Sequence, residues 1–310
     1  MLSHDRDGEG AEVPHARGIR RRAGIARGGV GDDRLSIALA LGAAAFWGCG
    51  DFLGGLANRA ASLLSVLLIS QGIGLVGMLC VAQVLGGNPS GADLGYGAIA
   101  GLAGAAGVAM LYRGLASGAM SLVAPITGVV AVVVPIAVGV GTGERPAALQ
   151  YAGIVAAVLA VALLSGGGSR GARLGRGTLL LALGAGIGFG LFYVAIARTS
   201  MGANLWPLVA ARGASVAVLL GASGITRTAP SFGAAHPLVI LGAGALDVTA
   251  NALYLLAVHG GLLSIVAVLV SLYPVSTVLC SMAVLGERLR TPQFVGVGAA
   301  MVAVALITAG

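Results

Sequence analysis

Ten apolar runs dominate the sequence after residue 34, and most of them are close to 20 residues long. That is about the length at which an α-helix crosses the hydrocarbon core of a bilayer. Charged residues make up 9 % of the chain, whereas a soluble chain carries about 25 %. The sequence therefore predicts an all-α integral membrane protein with ten transmembrane helices. The runs cover 35–56, 62–85, 94–114, 119–141, 147–165, 178–198, 204–223, 237–258, 262–285 and 292–309.

The ten runs form two sets of five that resemble one another. With an offset of 143 residues, 121–124 (SLVA) aligns with 264–267 (SIVA), and Gly-Glu-Arg at 143–145 aligns with Gly-Glu-Arg at 286–288. Apolar sequence of low complexity also produces weak matches by chance. Because each half has an odd number of helices, the second half must enter the membrane from the opposite side. We therefore expect a 5+5 inverted repeat, an arrangement that many secondary transporters use.

This organisation divides the chain into four segments. The first five-helix repeat is 35–165, a Gly- and Arg-rich linker is 166–177, and the second repeat is 178–310. Residues 1–34 mix acidic and basic side chains with glycine, so we expect a disordered tail. An alternative is that translation starts later, with Val30 as the first residue.

The net charge of +7 does not indicate a nucleic-acid partner, because no basic face is interleaved with aromatic residues.

Two stretches carry a resemblance to a known family. Residues 263–277 (LSIVAVLVSLYPVST), which run into LGERL at 285–289, resemble the ninth helix of EamA-type members of the drug/metabolite transporter superfamily. Phe-Trp-Gly at 46–48 resembles the opening helix of that family. The first half departs from the pattern, since position 131 is alanine where proline is expected, and Pro135 follows one turn later. The resemblance implies a multi-pass export carrier of the cell (plasma) membrane with both termini in the cytoplasm.

The distribution of arginine does not fix this orientation independently. With the first residue inside, nine arginines, seven of them in the tail, fall on the cytoplasmic side and eight fall outside. The positive-inside rule requires a clear excess on one side. The orientation therefore rests on the resemblance.

Three charged side chains interrupt the apolar runs, namely Asp51, Arg212 and Asp247. A charge at the centre of a bilayer costs about 2.5–3.5 kcal/mol on insertion scales, so such residues are functional candidates. We expect the three to converge near the midplane at the seam between the halves, on a substrate or proton pathway. A structural salt bridge, or an interfacial position for Asp51, is the alternative. The expected surrounding wall contains Trp47, Gln71, Asn251, Tyr254 and Tyr273.

Proximity to Arg212 should decide which acid carries a proton. An aspartate that contacts Arg212 stays charged, and the more distant aspartate becomes the carrier candidate. Asp247 shares a helical stripe with Asn251 and Tyr254, which could offer hydrogen bonds to a substrate. This stripe favours Asp247 as the proton carrier.

The remaining candidates are structural or gating residues. Glu144 with Arg145, and Glu287 with Arg288, occupy equivalent turns where we expect helix capping and charge anchoring. Pro274 removes a backbone donor inside a run, so it predicts either a gating point or an ordinary bend. Three glycine pairs at four-residue spacing predict close helix packing, but the signal is weak because one residue in six is glycine. The pairs are Gly50 and Gly54, Gly97 and Gly101, and Gly184 and Gly188.

The function that these features predict is secondary active export of a small polar metabolite, either an amino acid or a drug-like amphiphile, by alternating access. Transport could be proton-coupled or facilitated. The chain has no lysine for a P-loop, and we expect no cofactor, no metal and no enzymatic activity. The alternative is an integral membrane enzyme acting on a lipid-linked or prenyl substrate. The expected partners are a small-molecule substrate and the lipid bilayer, with a monomer or homodimer as the assembly.

Overall fold

The structure is a computed structural model that describes residues 30–116, 120–165, 175–227, 229–286 and 290–310. Every regular element in these ranges is helical. The helices of the first half are α1 (Val30–Ala57), α2 (Leu63–Leu85), α3 (Gly91–Ala116), α4 (Met120–Gly141) and α5 (Ala148–Ser165). The second half contains α6 (Arg176–Ala197), a 3-10 turn (Met201–Ala203), α7 (Trp206–Thr226), α8 (Pro237–Gly260), α9 (Leu263–Val270), α10 (Tyr273–Leu285) and α11 (Thr291–Ala309). The predicted tail up to residue 29 lies outside the described residues.

The predicted all-helical membrane class is confirmed. Eight segments of the described chain are long and apolar enough to cross a membrane, counting Leu263–Leu285 as one. Two further apolar segments, Ile126–Gly141 and Ala148–Leu164, are shorter. The count of ten crossings therefore stays a prediction.

The outer surface of the helices carries large apolar side chains. Val84 is 86 % exposed, Leu180 is 68 % exposed and Met301 is 71 % exposed. A water-soluble protein rarely leaves contiguous apolar surface on this scale uncovered. An apolar outer surface of this kind suits a protein whose helices are surrounded by lipid acyl chains.

Prolines mark the beginnings of four helices, where a missing backbone N–H costs nothing. They are Pro207, Pro237, Pro274 and Pro292. The run predicted as one helix over 262–285 is two helices in the structure, because the chain turns at Ser271 and Leu272 before Pro274 starts α10. The fixed ring of Pro274 and its missing donor end the regular hydrogen bonding of α9.

The two halves interleave rather than packing as separate bundles. Helix α1 packs against α8 and α10, while α6 packs against α3 and α4. Helix α2 packs against both α7 and α8, and α7 also packs against α3. Helix α5 packs mainly against α11. Most of the tertiary contact is thus made between the halves, so neither half forms its own core.

The helix ends define two faces of the molecule. The Glu144 face holds the α4–α5 and α8–α9 connections, which meet where the Glu144 carboxylate accepts hydrogen bonds from the backbone of Leu263 and Ser264. The Asn58 face holds the α1–α2 and α7–α8 connections, which meet where Ala234 N donates to Ala60 O at 3.0 Å. Helix α9 descends from the Glu144 face with all eight of its residues buried.

A second carboxylate ties two connections together at the Glu144 face. Asp93, in the first turn of α3, accepts hydrogen bonds from the backbone N–H of Ser90 at 2.8 Å and of Ser200 at 2.6 Å. Both hydroxyls also donate to it. A carboxylate at a helix N-terminus is favourable because the helix dipole is positive there. Asp93 thereby fixes the α6–α7 connection to the start of α3.

Helices α3 and α7 approach so closely that their backbones touch. A Cβ atom at Gly97 would overlap the carbonyl oxygen of Pro207, and a Cβ atom at Gly101 would overlap that of Ala211. Ser215 donates from its hydroxyl to Gly101 O at 3.0 Å across the same contact. Small residues at four-residue spacing allow this approach in membranes.

We therefore expect Gly101→Ala to destabilise the fold by about 1–3 kcal/mol, the usual cost of overpacking. The matched control is Gly95→Ala in the same helix, where an added Cβ meets nothing within 4 Å. The midpoint of thermal unfolding in detergent measures both. Equal midpoints for the two variants would show that the α3–α7 contact is looser than described.

Candidate functional site

A cavity of about 710 Å³ lies at the seam between the two halves. Its wall draws on both halves, including α1, α2, α3 and α4 from the first and α6, α7 and α8 from the second. The break between α9 and α10 contributes Ser271 and Tyr273. Ligand pockets commonly have volumes of about 300–1,000 Å³. The space is therefore large enough for a small organic molecule.

A hydrogen-bonded group of charged and polar residues occupies one wall. The Arg212 guanidinium donates to the carboxylate of Asp247 and to the side-chain carbonyl of Gln71. Trp47 Nε1 donates to Asp247 Oδ1 at 2.9 Å, and Asn251 Nδ2 donates to the same oxygen at 3.2 Å. Asp247 thus receives hydrogen bonds from three different helices. We call these residues the Asp247 network.

Asp51 lines the same cavity but has a different environment. Its side chain is exposed to the cavity, although protein surrounds it on several sides. The described structure shows neither an ion pair nor a hydrogen bond for its carboxylate. Asp51 also borders a smaller cavity of about 220 Å³ between α1 and α10, together with Arg59 and Thr277. One carboxylate therefore faces two separate spaces.

An aromatic cluster lies at the inner end of the cavity, towards the Glu144 face. The ring centroids of Trp47 and Tyr193 are 6.0 Å apart, and those of Tyr193 and Tyr254 are 5.1 Å apart. Phe192 packs edge-on against Tyr193 at 5.8 Å. The cluster and the buried helix α9 fill the space between the cavity and the Glu144 face. The wall at the other end includes Asn58, Leu63 and Leu64, so the cavity extends towards the Asn58 face.

Most of the sequence-predicted wall residues line the cavity. Trp47, Gln71, Asn251 and Tyr273 do so together with the three charged residues. Tyr254 does not, and its expected place in the wall is wrong. Its side chain is fully buried and its hydroxyl donates to Tyr193 O at 2.8 Å. The i, i+7 spacing from Asp247 places it deeper along α8, behind the aromatic rings.

The expectation that Asp247 is the acid farther from Arg212 is also wrong. Asp247 forms the ion pair with Arg212, whereas Asp51 forms none among the described residues. A helical stripe shows which residues share a face, but it does not show which acid meets a cation on another helix. Asp51 is therefore the aspartate of this cavity that has no cationic partner among the described residues.

Sequence reasoning missed the aromatic contribution of α6. Phe189, Phe192 and Tyr193 all line the cavity. Aromatic residues inside an apolar run carry no periodic signal that separates a cavity wall from lipid-facing surface. The one available signal was their density, since aromatic residues make up only 5 % of the chain and these three lie within five positions.

The structure places Glu144 as a helix cap between the halves. Its carboxylate accepts from Leu263 N at 2.6 Å and from Ser264 N at 2.9 Å, at the first turn of α9. Arg145 is exposed and donates to Val140 O at 3.3 Å, close to the end of α4. Glu287 and Arg288, the counterparts in the second half, lie outside the described residues.

No group of three or more His, Cys, Asp or Glu side chains in the described part of the chain is arranged to hold a metal ion. Two cysteines, Cys49 of α1 and Cys280 of α10, bring their sulfur atoms within 3.2 Å as free thiols. Both lie beside the contact in which Thr277 donates to Gly48 O at 3.0 Å.

The interleaved helices and the polar cavity inside them define a multi-pass membrane protein with an internal cavity. The model of the EamA-like transporter family matches residues 34–166 and 176–309. The chain therefore belongs to the EamA-like transporter family, and its resemblance to EamA-type members of the drug/metabolite transporter superfamily is confirmed.

A solved structure described as "Crystal structure of protein" has the same fold, with a TM-score of 0.68 and 18 % sequence identity. The similarity covers 88 % of this chain and 98 % of the solved one. At this identity the likeness concerns the fold alone. No curated protein sequence matches the chain.

The Asp247 network predicts that Arg212 and Asp247 depend on one another. Arg212→Gln removes the cation that compensates Asp247, and Asp247→Asn removes the anion that compensates Arg212. Because the double variant leaves no uncompensated charge, we expect it to lose less stability than the two single variants summed, with a coupling of about 1–3 kcal/mol. Thermal unfolding of all four proteins measures the coupling. Additive losses would mean that the two groups act independently.

The Glu144 cap predicts a loss of about 1–2 kcal/mol in Glu144→Ala, because two backbone donors of α9 lose their partner in a buried position. Arg145→Ala is the matched control, since this neighbour is exposed and surface substitutions usually change stability by less than about 0.5 kcal/mol. Unfolding midpoints in detergent compare the two. If Glu144→Ala is as stable as the control, the Glu144 cap does not contribute to the stability of the fold.

Proposed function

We propose that the protein is a secondary active carrier that exports a small polar metabolite, an amino acid or a drug-like amphiphile, by alternating access. The observation that carries the proposal is the cavity at the seam between the halves, where charged and polar groups lie inside an apolar bundle. Such groups are unfavourable in hydrocarbon and persist where they meet water, a substrate or an opposite charge. Membership of a transporter family supports the same conclusion.

The carrier has ten crossings in a 5+5 inverted repeat in this proposal. In such a repeat the counterparts are α1 and α6, α2 and α7, α3 and α8, α4 and the α9–α10 pair, and α5 and α11. The packing pairs support the repeat, because replacing each helix by its counterpart converts one observed pair into another observed pair. The α1–α8 pair becomes α6–α3, the α1–α10 pair becomes α6–α4, and the α2–α8 pair becomes α7–α3. The α2–α7 and α5–α11 pairs map onto themselves. A two-fold relation between the halves produces this pattern.

Alternating access requires a cavity that opens to one side at a time. The aromatic cluster and α9 lie between the cavity and the Glu144 face, while the wall continues towards the Asn58 face. This arrangement fits one of two states, with access from the Asn58 face. With both termini in the cytoplasm, as the family resemblance implies, the Asn58 face is the outer side of the plasma membrane.

Proton coupling is assigned in this proposal to Asp51. Asp247 is held by Arg212, Trp47 and Asn251, so its charge is compensated without a proton. The charged groups around Asp51 are Asp247 across the cavity, Arg212 beyond it and Arg59 at the smaller cavity. Tyr193 of α6 lines the same cavity. None of them is an ion-pair partner of Asp51 in the described structure.

The test compares metabolites released by cells with and without the protein. We expect one or more small polar metabolites to accumulate outside the expressing cells, with a rate that depends on external pH. Asp51→Asn should lower that rate about tenfold and remove the pH dependence, because an amide cannot exchange a proton. Asp33→Asn, near the exposed start of α1, is the matched control and should behave as the unmodified chain.

The comparison has two contrary outcomes. Identical release with and without the protein, across growth conditions, would count against export. If the release still depends on pH and is undiminished in Asp51→Asn, the protein exports its substrate but Asp51 does not couple export to protons.

A further inference from the structure

We propose that the central cavity selects an organic monocation with an aromatic or apolar body, and that the Asp51 carboxylate is its counter-charge. The inference rests on the proposed carrier function and narrows the substrate class of the same site. It follows from the charge balance of the wall, the engagement of Arg212 and the position of the aromatic rings.

The charged side chains that line the described cavity are two carboxylates and one guanidinium, from Asp51, Asp247 and Arg212. Arg212 and Asp247 neutralise one another in their ion pair. One negative charge is left, on Asp51, and it is exposed to the cavity. An uncompensated charge in a low-dielectric enclosure attracts an opposite charge more strongly than it does in water. The charge of the described wall therefore favours a cation as the occupant of the cavity.

The guanidinium of Arg212 is poorly placed to bind a substrate carboxylate. Arg212 as a whole is only 7 % exposed, and its terminal nitrogens donate to Asp247 and Gln71. A carboxylate that entered would have to displace Asp247 from this contact or lie beside two like charges. Like charges that meet across a desolvated contact cost several kcal/mol. Anions, and zwitterions that need both ends bound, are thereby disfavoured.

Aromatic rings form part of the wall of the cavity that Asp51 lines. Trp47 is one turn before Asp51 on α1, and Tyr193 of α6 lines the same cavity. Phe189, Phe192 and Tyr273 complete this side of the wall. The faces of aromatic rings attract cations, with tryptophan the strongest, and the attraction grows when water is excluded. The rings therefore add to the field of Asp51 and disfavour an anion.

The rest of the wall favours an apolar body on the cation. Helices α2, α3 and α7 contribute leucine, valine, alanine and glycine side chains to the lining. Burying apolar surface contributes about 25 cal/mol per Å². A compact inorganic cation would leave this surface in contact with water, whereas an amphiphilic organic cation would cover it.

The single unpaired carboxylate also sets the charge of the cation that the cavity can hold. A lone carboxylate inside a membrane protein is stable when a proton or another single positive charge neutralises it. An organic monocation and a proton are then alternative partners of Asp51, and binding of one displaces the other. A dication would leave one charge uncompensated in the described wall.

The test uses three probes with the same phenyl body and different charge: phenethyltrimethylammonium, phenylalanine and 3-phenylpropionate. Binding to the purified full chain in detergent is followed by tryptophan fluorescence excited at the red edge, where the probes do not absorb. The chain has two tryptophans, and Trp206→Phe leaves Trp47 in the cavity wall as the reporter.

We expect the cation to bind about tenfold more tightly than the zwitterion or the anion, from the charge and ring attraction combined. Asp51→Asn should weaken binding of the cation about tenfold, and Asp51→Glu should retain most of it. Asp33→Asn, on the same helix outside the cavity, should bind as the parent chain does.

Three results would overturn the inference: tighter binding of phenylalanine or 3-phenylpropionate, no binding of the cation up to its solubility limit, or unchanged binding of the cation in Asp51→Asn. The ranking of the three probes in the parent chain decides the matter even where a variant fails to fold.

The carrier proposal is judged separately, by counterflow of the best-bound probe in proteoliposomes. A protein that binds the cation without moving it contradicts the carrier function alone, and one that moves a zwitterion best contradicts the cation inference alone.

Discussion

The ion pair between Arg212 and Asp247 is the interaction on which the interior of the molecule depends. Each group alone would be costly among apolar helices, and together they leave a neutral, hydrogen-bonded unit that joins α7 to α8. Trp47 and Gln71 extend this unit to α1 and α2. Four helices, two from each half, are thus held at one point, and the cavity is the space that this arrangement leaves open.

Where lipid replaces water, apolar surface alone does not draw helices together, so close backbone contact and polar bonds must do so. The structure shows both devices between the halves. Glycines let α3 meet the backbone of α7. Carboxylates at the Glu144 face bind backbone donors across the seam, Asp93 to the α6–α7 connection and Glu144 to α9. Each of these contacts involves only a few atoms. The two carboxylates lie at the same face of the molecule, where they join the two halves.

The sequence predicted the helical membrane class because run length and charge content are local properties. It also singled out the three charged residues of the cavity, since a charge inside an apolar run stands out without any knowledge of packing. It did not predict which aspartate meets Arg212, because that pairing joins α7 to α8 and depends on how the helices are rotated. The place of Tyr254 behind the rings depends on tertiary packing for the same reason.

The position of Asp51 between two cavities has a consequence for how the site can be occupied. The smaller space beside Arg59 lies between α1 and α10, on the other side of the same carboxylate from the large cavity. Apart from Asp51 and Gly55, the two cavities have different linings, so an occupant of the large cavity does not have to fill the smaller one. The Asp51 carboxylate can then be bordered by a bulky molecule on one side and by a second space on the other.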